Sequence, residues 1–572
     1  MEALNKKLFN NRIFKIFVLV LITVVACIPL FFEGIEGHFG QDLMFHLNRI
    51  EGIVTELFAG HFPVRMESNW MDGYGYPVSI YYGDILLYIP ALLRLMGIGV
   101  VSSYKCYVFL VTLATASVTY ICFNKIFKRT DIALFCSFIY TLSSYRLVNV
   151  YIRAAVGEYT AFIFLPVIML AMYNIYKSDK SIPLKRMFVN ASLLMLGVTG
   201  LINTHMLSLE ITGIVLIVFC LINFKKTFTK SVLLTFVISG VEIVIVNLFY
   251  IVPFVDYFVN ENVNINNVVN NSRTIQNSGL FLWEYFSFFR MPFANIEAAG
   301  DDRLLVTPGI IFVIIIIAGV IMWILRKADK EMKITVVSVI ILLFVTSRYF
   351  PWDFLSANTK IGDFLAQVQF PWRYMGIIIL LTTLLGGRII ERFDKKSLVT
   401  ISYTVALISC LVTVIWFSYE YKKYGELVTY ETESDLDSSD MGFIEYLRVG
   451  TERERFTHRI ETTGDVSVNE TYRNGTDRDY HVTSHSLGGT VTLPIVNYRG
   501  YEIVDNNGNK SVIYDSDNKE ISFYVSSDTD MDMYLRYVEP RYMRMAEIIS
   551  LLGIIVIIII NIYIARKKEA RE

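Results

Sequence analysis

Residues 14–32 read FKIFVLVLITVVACIPLFF, an apolar run broken by the single charge of Lys15, and this stretch decides the class of fold. A bilayer core of about 30 Å is crossed by roughly 20 apolar residues in a helix, and the run has that length. Lys6, Lys7, Arg12 and Lys15 make a basic start. Secretory signal peptides begin in the same way, but this run is long and lacks a small-residue cleavage site, so it reads as a retained transmembrane helix. Blocks of the same kind recur outward from it, at about 101–123, 131–150, 158–176, 188–203, 205–222, 231–252, 305–325, 334–347, 372–388, 398–417 and 546–565. The chain has 572 residues, 54% hydrophobic and 18% charged, with a formal net charge of −1. A soluble chain of that length would need far more charge to cover its several domains. The expectation is a polytopic α-helical membrane protein with about 12 transmembrane helices.

Lysine and arginine placement orients the helices. Basic connectors occur at Lys125–Arg129, Lys177–Arg186, Lys225–Lys230, Arg326–Lys333 and Arg388–Lys396, and the tail Arg566–Arg571 is basic too. If each is cytoplasmic, the helices between them must come in pairs, and they do. Both termini are therefore expected in the cytoplasm, in a bacterial plasma membrane. The cytoplasmic connectors are too short for an ATPase domain, and there is no repeat, coiled coil or nucleotide-binding glycine motif.

The opposite side carries the elaborate segments: an aromatic-rich outer loop at 33–83, a loop at 253–304 with an Asn-rich stretch from Asn260 to Asn277, and an amphipathic interfacial segment at 347–371. Ile85–Leu95 is too short to cross and reads as re-entrant or interfacial. The transmembrane domain is expected over 1–418, and 546–572 should hold the last helix and its tail. Between them, 419–545 alternates apolar and polar residues around turns such as Asn474-Gly475 and Asn507-Gly508. That pattern predicts an extracytoplasmic antiparallel β-domain of sandwich or jelly-roll type. The cysteines, Cys27, Cys106, Cys122, Cys136, Cys220 and Cys410, all fall in or beside apolar spans, so the β-domain folds without disulfides.

Charged groups at a membrane boundary are costly to hold and become functional candidates. Glu33, Glu36, His38, Asp42, His46, Arg49 and Glu51 crowd the region after the first helix. Asp42, His46 and Arg49 share one helical face by i, i+4, i+7 spacing, where a carboxylate could act as general base. A solvated face at the interface fits the same spacing. His38, Asp42 and His46 have the i, i+4, i+8 spacing of three ligands to a divalent metal, although Gly37 and Gly40 argue against helix at His38; no metal site is assigned. Further along, Arg65, Tyr74, Tyr76 and Asp84 lie among aromatic turns that suit either sugar stacking or an interfacial belt. Arg146, Arg153, Glu158, His205 and Arg373 should reach the same membrane surface, where arginines suit a phosphate or pyrophosphate, or lipid headgroups. His458, His481 and His485 of the β-domain read as surface residues.

Three stretches carry a family resemblance: Gly40-Gln41-Asp42…Phe45-His46…Arg49-Ile50; Phe62-Pro63-Val64-Arg65…Gly73-Tyr74-Gly75-Tyr76-Pro77…Tyr82-Gly83-Asp84; and Gln369-Phe370-Pro371-Trp372-Arg373-Tyr374. Over roughly residues 10–420 the chain resembles bacterial membrane glycosyltransferases of the GT-C fold. More narrowly, it resembles the "6-pyruvoyl-tetrahydropterin synthase-related" membrane protein family, akin to YfhO-like proteins. The pterin activity in that label has no counterpart in these residues. The resemblance implies a glycosyltransferase that takes a sugar from a polyprenyl-phosphate donor and passes it to a cell-envelope polymer or glycan acceptor. It implies Asp42 as base, with His46 and His205 orienting the reacting groups. Arg49, Arg65, Arg153 and Arg373 would meet the donor phosphate, and Tyr74, Tyr76, Asp84 and Glu158 would contact substrate. Many relatives pair two acids where this chain has Gln41-Asp42, which weakens a metal assignment. Membrane lipids are expected partners and nucleic acid is not. Two other classes fit the composition: a transporter or flippase of envelope lipids or oligosaccharides, and a non-catalytic envelope-assembly scaffold.

Overall fold

Backbone groups in an apolar medium must be satisfied within their own segment, and each of the twelve predicted spans contains a helix. The computed structural model describes residues 11–31, 41–177, 182–265, 275–288, 306–393, 395–424 and 444–569. The main helices are α1 (Arg12–Ala26), α2 (Leu43–Phe58), α3 (Tyr88–Leu95), α4 (Val100–Phe127), α5 (Thr130–Thr141), α6 (Val156–Lys177), α7 (Leu184–Ile202), α8 (Met206–Ile222), α9 (Lys230–Asn260), α10 (Ile310–Ile324), α11 (Lys330–Thr346), α12 (Met375–Glu391), α13 (Lys396–Tyr424) and α14 (Arg541–Glu569). Seven are long and apolar enough to cross a membrane: α4, α6, α7, α9, α12 with the turn before it, α13 and α14. Helices α5, α8 and α10 are apolar but shorter.

Small residues set the close packing. A side chain at Gly200 of α7 would collide with the Phe164 ring, and Gly387 of α12 leaves room for Phe127. Helix α9 has 31 residues, so it is roughly 46 Å long, more than a bilayer core. Its far end projects past the bundle, where Tyr257 Oη lies 2.7 Å from Tyr537 Oη and also bonds the Arg499 carbonyl.

The strands are β1 (Glu461–Thr462), β2 (Val466–Asn474), β3 (Asp477–Ser484), β4 (Gly489–Val496), β5 (Tyr501–Asp505), β6 (Lys510–Ser511), β7 (Ile513–Asp515), β8 (Glu520–Val525) and β9 (Thr529–Tyr537). They form two antiparallel sheets, ordered β1-β4-β8-β7 and β2-β3-β9-β5-β6. Alternate residues of β3 and β4 are buried between them, as the sequence alternation required. Asn474-Gly475 and Asn507-Gly508 make the expected hairpin turns.

The sandwich does not keep its core to itself. Val482, Val491, Leu493 and Phe523 belong to one buried cluster with Trp70, Tyr74, Tyr76 and Tyr81 from the first loop. Glu56 of α2, 1% exposed, seals the junction by accepting from Thr476 N at 3.1 Å and Ser68 Oγ at 2.5 Å. The 347–371 segment forms two short helices, Trp352–Asn358 and Lys360–Ala366, with Trp352 buried and Phe354, Ile361 and Phe364 exposed. Glu33, Glu36, His38 and residues 266–274 of the Asn-rich stretch lie outside the described residues.

Candidate functional site

Asp42 stands immediately before α2, where aspartate commonly caps a helix by accepting from the N2 or N3 amide. Here φ −106° and ψ 9° are not cap geometry and no such bond forms. The half-buried carboxylate makes no hydrogen bond among the described residues, while its own amide donates to Arg153 O at 2.8 Å. Gln41 N likewise donates to Ile152 O at 3.1 Å. These bonds tie the start of α2 to a single π-helical turn, Val148–Ile152, an irregularity often found at functional sites.

Arg153 follows that turn. Its Nη1 donates to Glu158 Oε2 at 2.5 Å and Asn149 Oδ1 at 2.7 Å, and the guanidinium lies 4.8 Å from the Trp372 ring centre. Glu158 also accepts from Tyr145 Oη and lies 3.7 Å from Arg373 Nε. Arg373 is fixed by Val368 O at 2.9 Å and Gln369 Oε1 at 2.8 Å. Asp42 feels both guanidiniums and the Glu158 carboxylate. Burial raises the Asp42 carboxyl above its ordinary range; Arg153 and Arg373 pull it back, and Glu158 adds to the rise. The result is a more basic carboxylate than a solvated one.

His205 caps α8, its Nδ1 accepting from Ser208 N at 3.2 Å with Ser208 Oγ 2.8 Å away. An accepting Nδ1 assigns the ring proton to Nε2. The His205 turn is pressed against the first loop: a Cβ on Gly83 would sit 2.7 Å from the Asn203 backbone, and one on Gly157 would strike Tyr82 Oη and Thr204 O. Arg49 donates to Tyr82 O at 2.9 Å and Gly83 O at 3.2 Å, and stacks 4.4 Å from the Tyr82 ring centre. It therefore braces the Tyr82-Gly83 turn. His46, 2% exposed, packs edge-on to Phe45 at 5.1 Å, and its Nδ1 has no hydrogen-bond partner among the described residues. Burial, Arg49 and His205 together lower its pKa, so the ring is neutral.

Asp42, Arg153, Glu158, His205 and Arg373 thus converge, with His46 and Arg49 behind them. The remaining predicted residues do not join that group. Arg65, expected at a donor phosphate, is spent on Glu547 Oε1 at 2.8 Å, Glu539 Oε2 at 3.6 Å and Phe249 O at 2.9 Å. Tyr74 and Tyr76, expected to face a sugar, are 1% and 0% exposed. Tyr74 stacks on Phe456 at 3.7 Å and Tyr76 on Trp70 at 5.2 Å, because loop and sandwich share a core. Asp84 faces Arg49 and Arg65 instead, and burial raises its carboxyl.

Glu210 was missed by the sequence reading, although it is the lone charge in α8, MLSLEITGIVLIVFCLI. It faces Arg373, and its Oε1 is buried without a hydrogen-bond partner among the described residues. An acid in an apolar helix was the signal that should have found it. Tyr145 carried no such signal, and Trp372 was singled out only as part of the Gln369–Tyr374 stretch. Among the described residues, no three His, Cys, Asp or Glu side chains gather as a metal site, and His38 lies outside them. No protein-family model and no curated protein matches the chain.

Proposed function

We propose that the chain transfers a sugar from a polyprenyl-phosphate donor to a cell-envelope acceptor at the outer face of a bacterial plasma membrane. In this reading about twelve helices cross the bilayer in a GT-C-like arrangement, both termini are cytoplasmic, and the β-sandwich stands outside. The observation that carries it is Asp42: an uncapped, partly open carboxylate beside two fixed arginines at one end of a helix bundle. No nucleotide sugar is available at an outer surface, so a donor used there must be lipid-borne.

Asp42 takes the proton of the acceptor hydroxyl as its oxygen bonds to the anomeric carbon. The bond from that carbon to the phosphate oxygen breaks, and the electron pair leaves with the polyprenyl phosphate. Arg153 and Arg373 stabilise the charge growing on that oxygen, and Glu158, paired to both, holds them apart in fixed geometry. His205 presents its Nε2–H to the reacting groups. Transporters commonly show internal repeats and broken helices at mid-membrane, whereas the ion-paired group of Arg153, Glu158 and Arg373 lies beside Asp42 at one end of the bundle.

Mass spectrometry of envelope polymers from cells with and without the gene tests this reading. A sugar substituent absent from the deletion strain is expected; identical polymers would overturn the proposal.

A further inference from the structure

Helices α10 and α11 meet in a hairpin at the end of the bundle remote from Asp42. Arg388 on the neighbouring α12 lies fifteen positions from Arg373, so roughly 22 Å of helix separates the two ends. A cavity of about 470 Å³ opens there, lined by Val320, Trp323, Ile324, Arg326 and Lys333.

Its charge is unbalanced. Asp329 is taken by Arg392, while Glu331 and Glu391 pair with Arg388 at 3.0 and 2.9 Å. Arg326 and Lys333 make no ion pair among the described residues, and Lys327 and Lys330 add further positive charge to the same turn. The backbone points the same way. Arg326 ends α10 at φ +58°, in the left-handed region where glycine is the favoured residue at a helix C-terminus. A cation stands where a better-suited residue carries none.

We infer that this cavity binds the phosphate headgroup of an anionic phospholipid. Arg326 and Lys333 meet the phosphate, the half-exposed Trp323 lies at headgroup depth, and Val320 and Ile324 line the path of an acyl chain. The apolar wall selects an amphipathic ligand over a free anion. This site is separate from the transferase reading and stands whether or not that reading holds.

The test uses the full chain in nanodiscs of phosphatidylcholine, with and without phosphatidylglycerol. Thermal unfolding is followed by tryptophan fluorescence, and retained lipid is counted by native mass spectrometry. Phosphatidylglycerol is expected to raise the wild-type Tm and to stay bound. Arg326→Gly removes the cation while relieving the backbone, so its Tm in pure phosphatidylcholine should match or exceed the wild type. Its phosphatidylglycerol retention should fall about fivefold, as should that of Lys333→Gln. An unchanged phosphatidylglycerol response in both variants would overturn the proposal. So would an equal Tm rise from inorganic phosphate alone in phosphatidylcholine discs, which would make the ligand a free anion.

Discussion

Glu67 is wholly buried in the first loop, where Trp70 Nε1 and Ser79 Oγ donate to its two oxygens at 2.6 Å each. Burial pushes its pKa up to about 8, against the pull of Ser79, Arg49 and Trp70. A Cβ on Gly52 would strike Glu67 Oε2 and come within 2.9 Å of Asn69 Oδ1, so glycine is required beside this carboxyl. Its folded pKa lies above its unfolded one, so its stabilisation is full below the unfolded carboxyl range and is lost as pH rises through about 8. Glu67→Gln should therefore flatten the fall in Tm of the detergent-solubilised protein between pH 5 and 8. An equally steep fall in the variant would show that Glu67 does not titrate there. The proximity of Asp42, Arg153, His205 and Arg373 was legible in the sequence, because each stands at a helix end and topology sends such groups to one end of the bundle. Arg65 was not legible. Its partner Glu547 is 482 positions away, and local spacing carries no information over that separation.

At the scale of elements, length and apolarity are local properties, so all twelve predicted spans contain helix. The β-hairpins were equally readable from Asn-Gly turns. The single π-helical turn that positions Arg153 had no sequence signature. Nor did the junction of loop and sandwich, which explains why Tyr74 and Tyr76 read as open rings and proved to be core. Helix pairing depends on glycine at close crossings: Gly200 admits the Phe164 ring between α6 and α7. Gly200→Val should force these helices apart and cost about 1–3 kcal/mol, seen as a Tm several degrees lower in detergent. A wild-type Tm would show that this crossing tolerates repacking. Thr476→Val removes the hydroxyl donor to Glu56 Oε2 at 3.2 Å and keeps the backbone amide at 3.1 Å, leaving a buried carboxyl less satisfied. Limited proteolysis should then cut the sandwich free more readily, while an unchanged cleavage rate would mean that the shared aromatic core alone holds it.

The whole molecule joins a helix bundle to a β-sandwich through α9, which overshoots the bundle, and through α14, whose Glu547 holds Arg65 of the first loop. The same end of the bundle carries the Asp42 group, so sandwich and candidate site should face the same side of the membrane. Single cysteines in a cysteine-free background test that sidedness. Asn507→Cys in the sandwich should react with an impermeant maleimide in intact cells, and Lys327→Cys only after permeabilisation; the reverse pattern would contradict the proposed orientation. The central claim is that Asp42 is the base of a sugar transfer, and Asp42→Asn tests it while keeping the side chain's size. In a deletion strain complemented with this variant at wild-type abundance, mass spectrometry of the envelope polymers should still lack the sugar substituent. Full restoration of that substituent by Asp42→Asn would contradict the account.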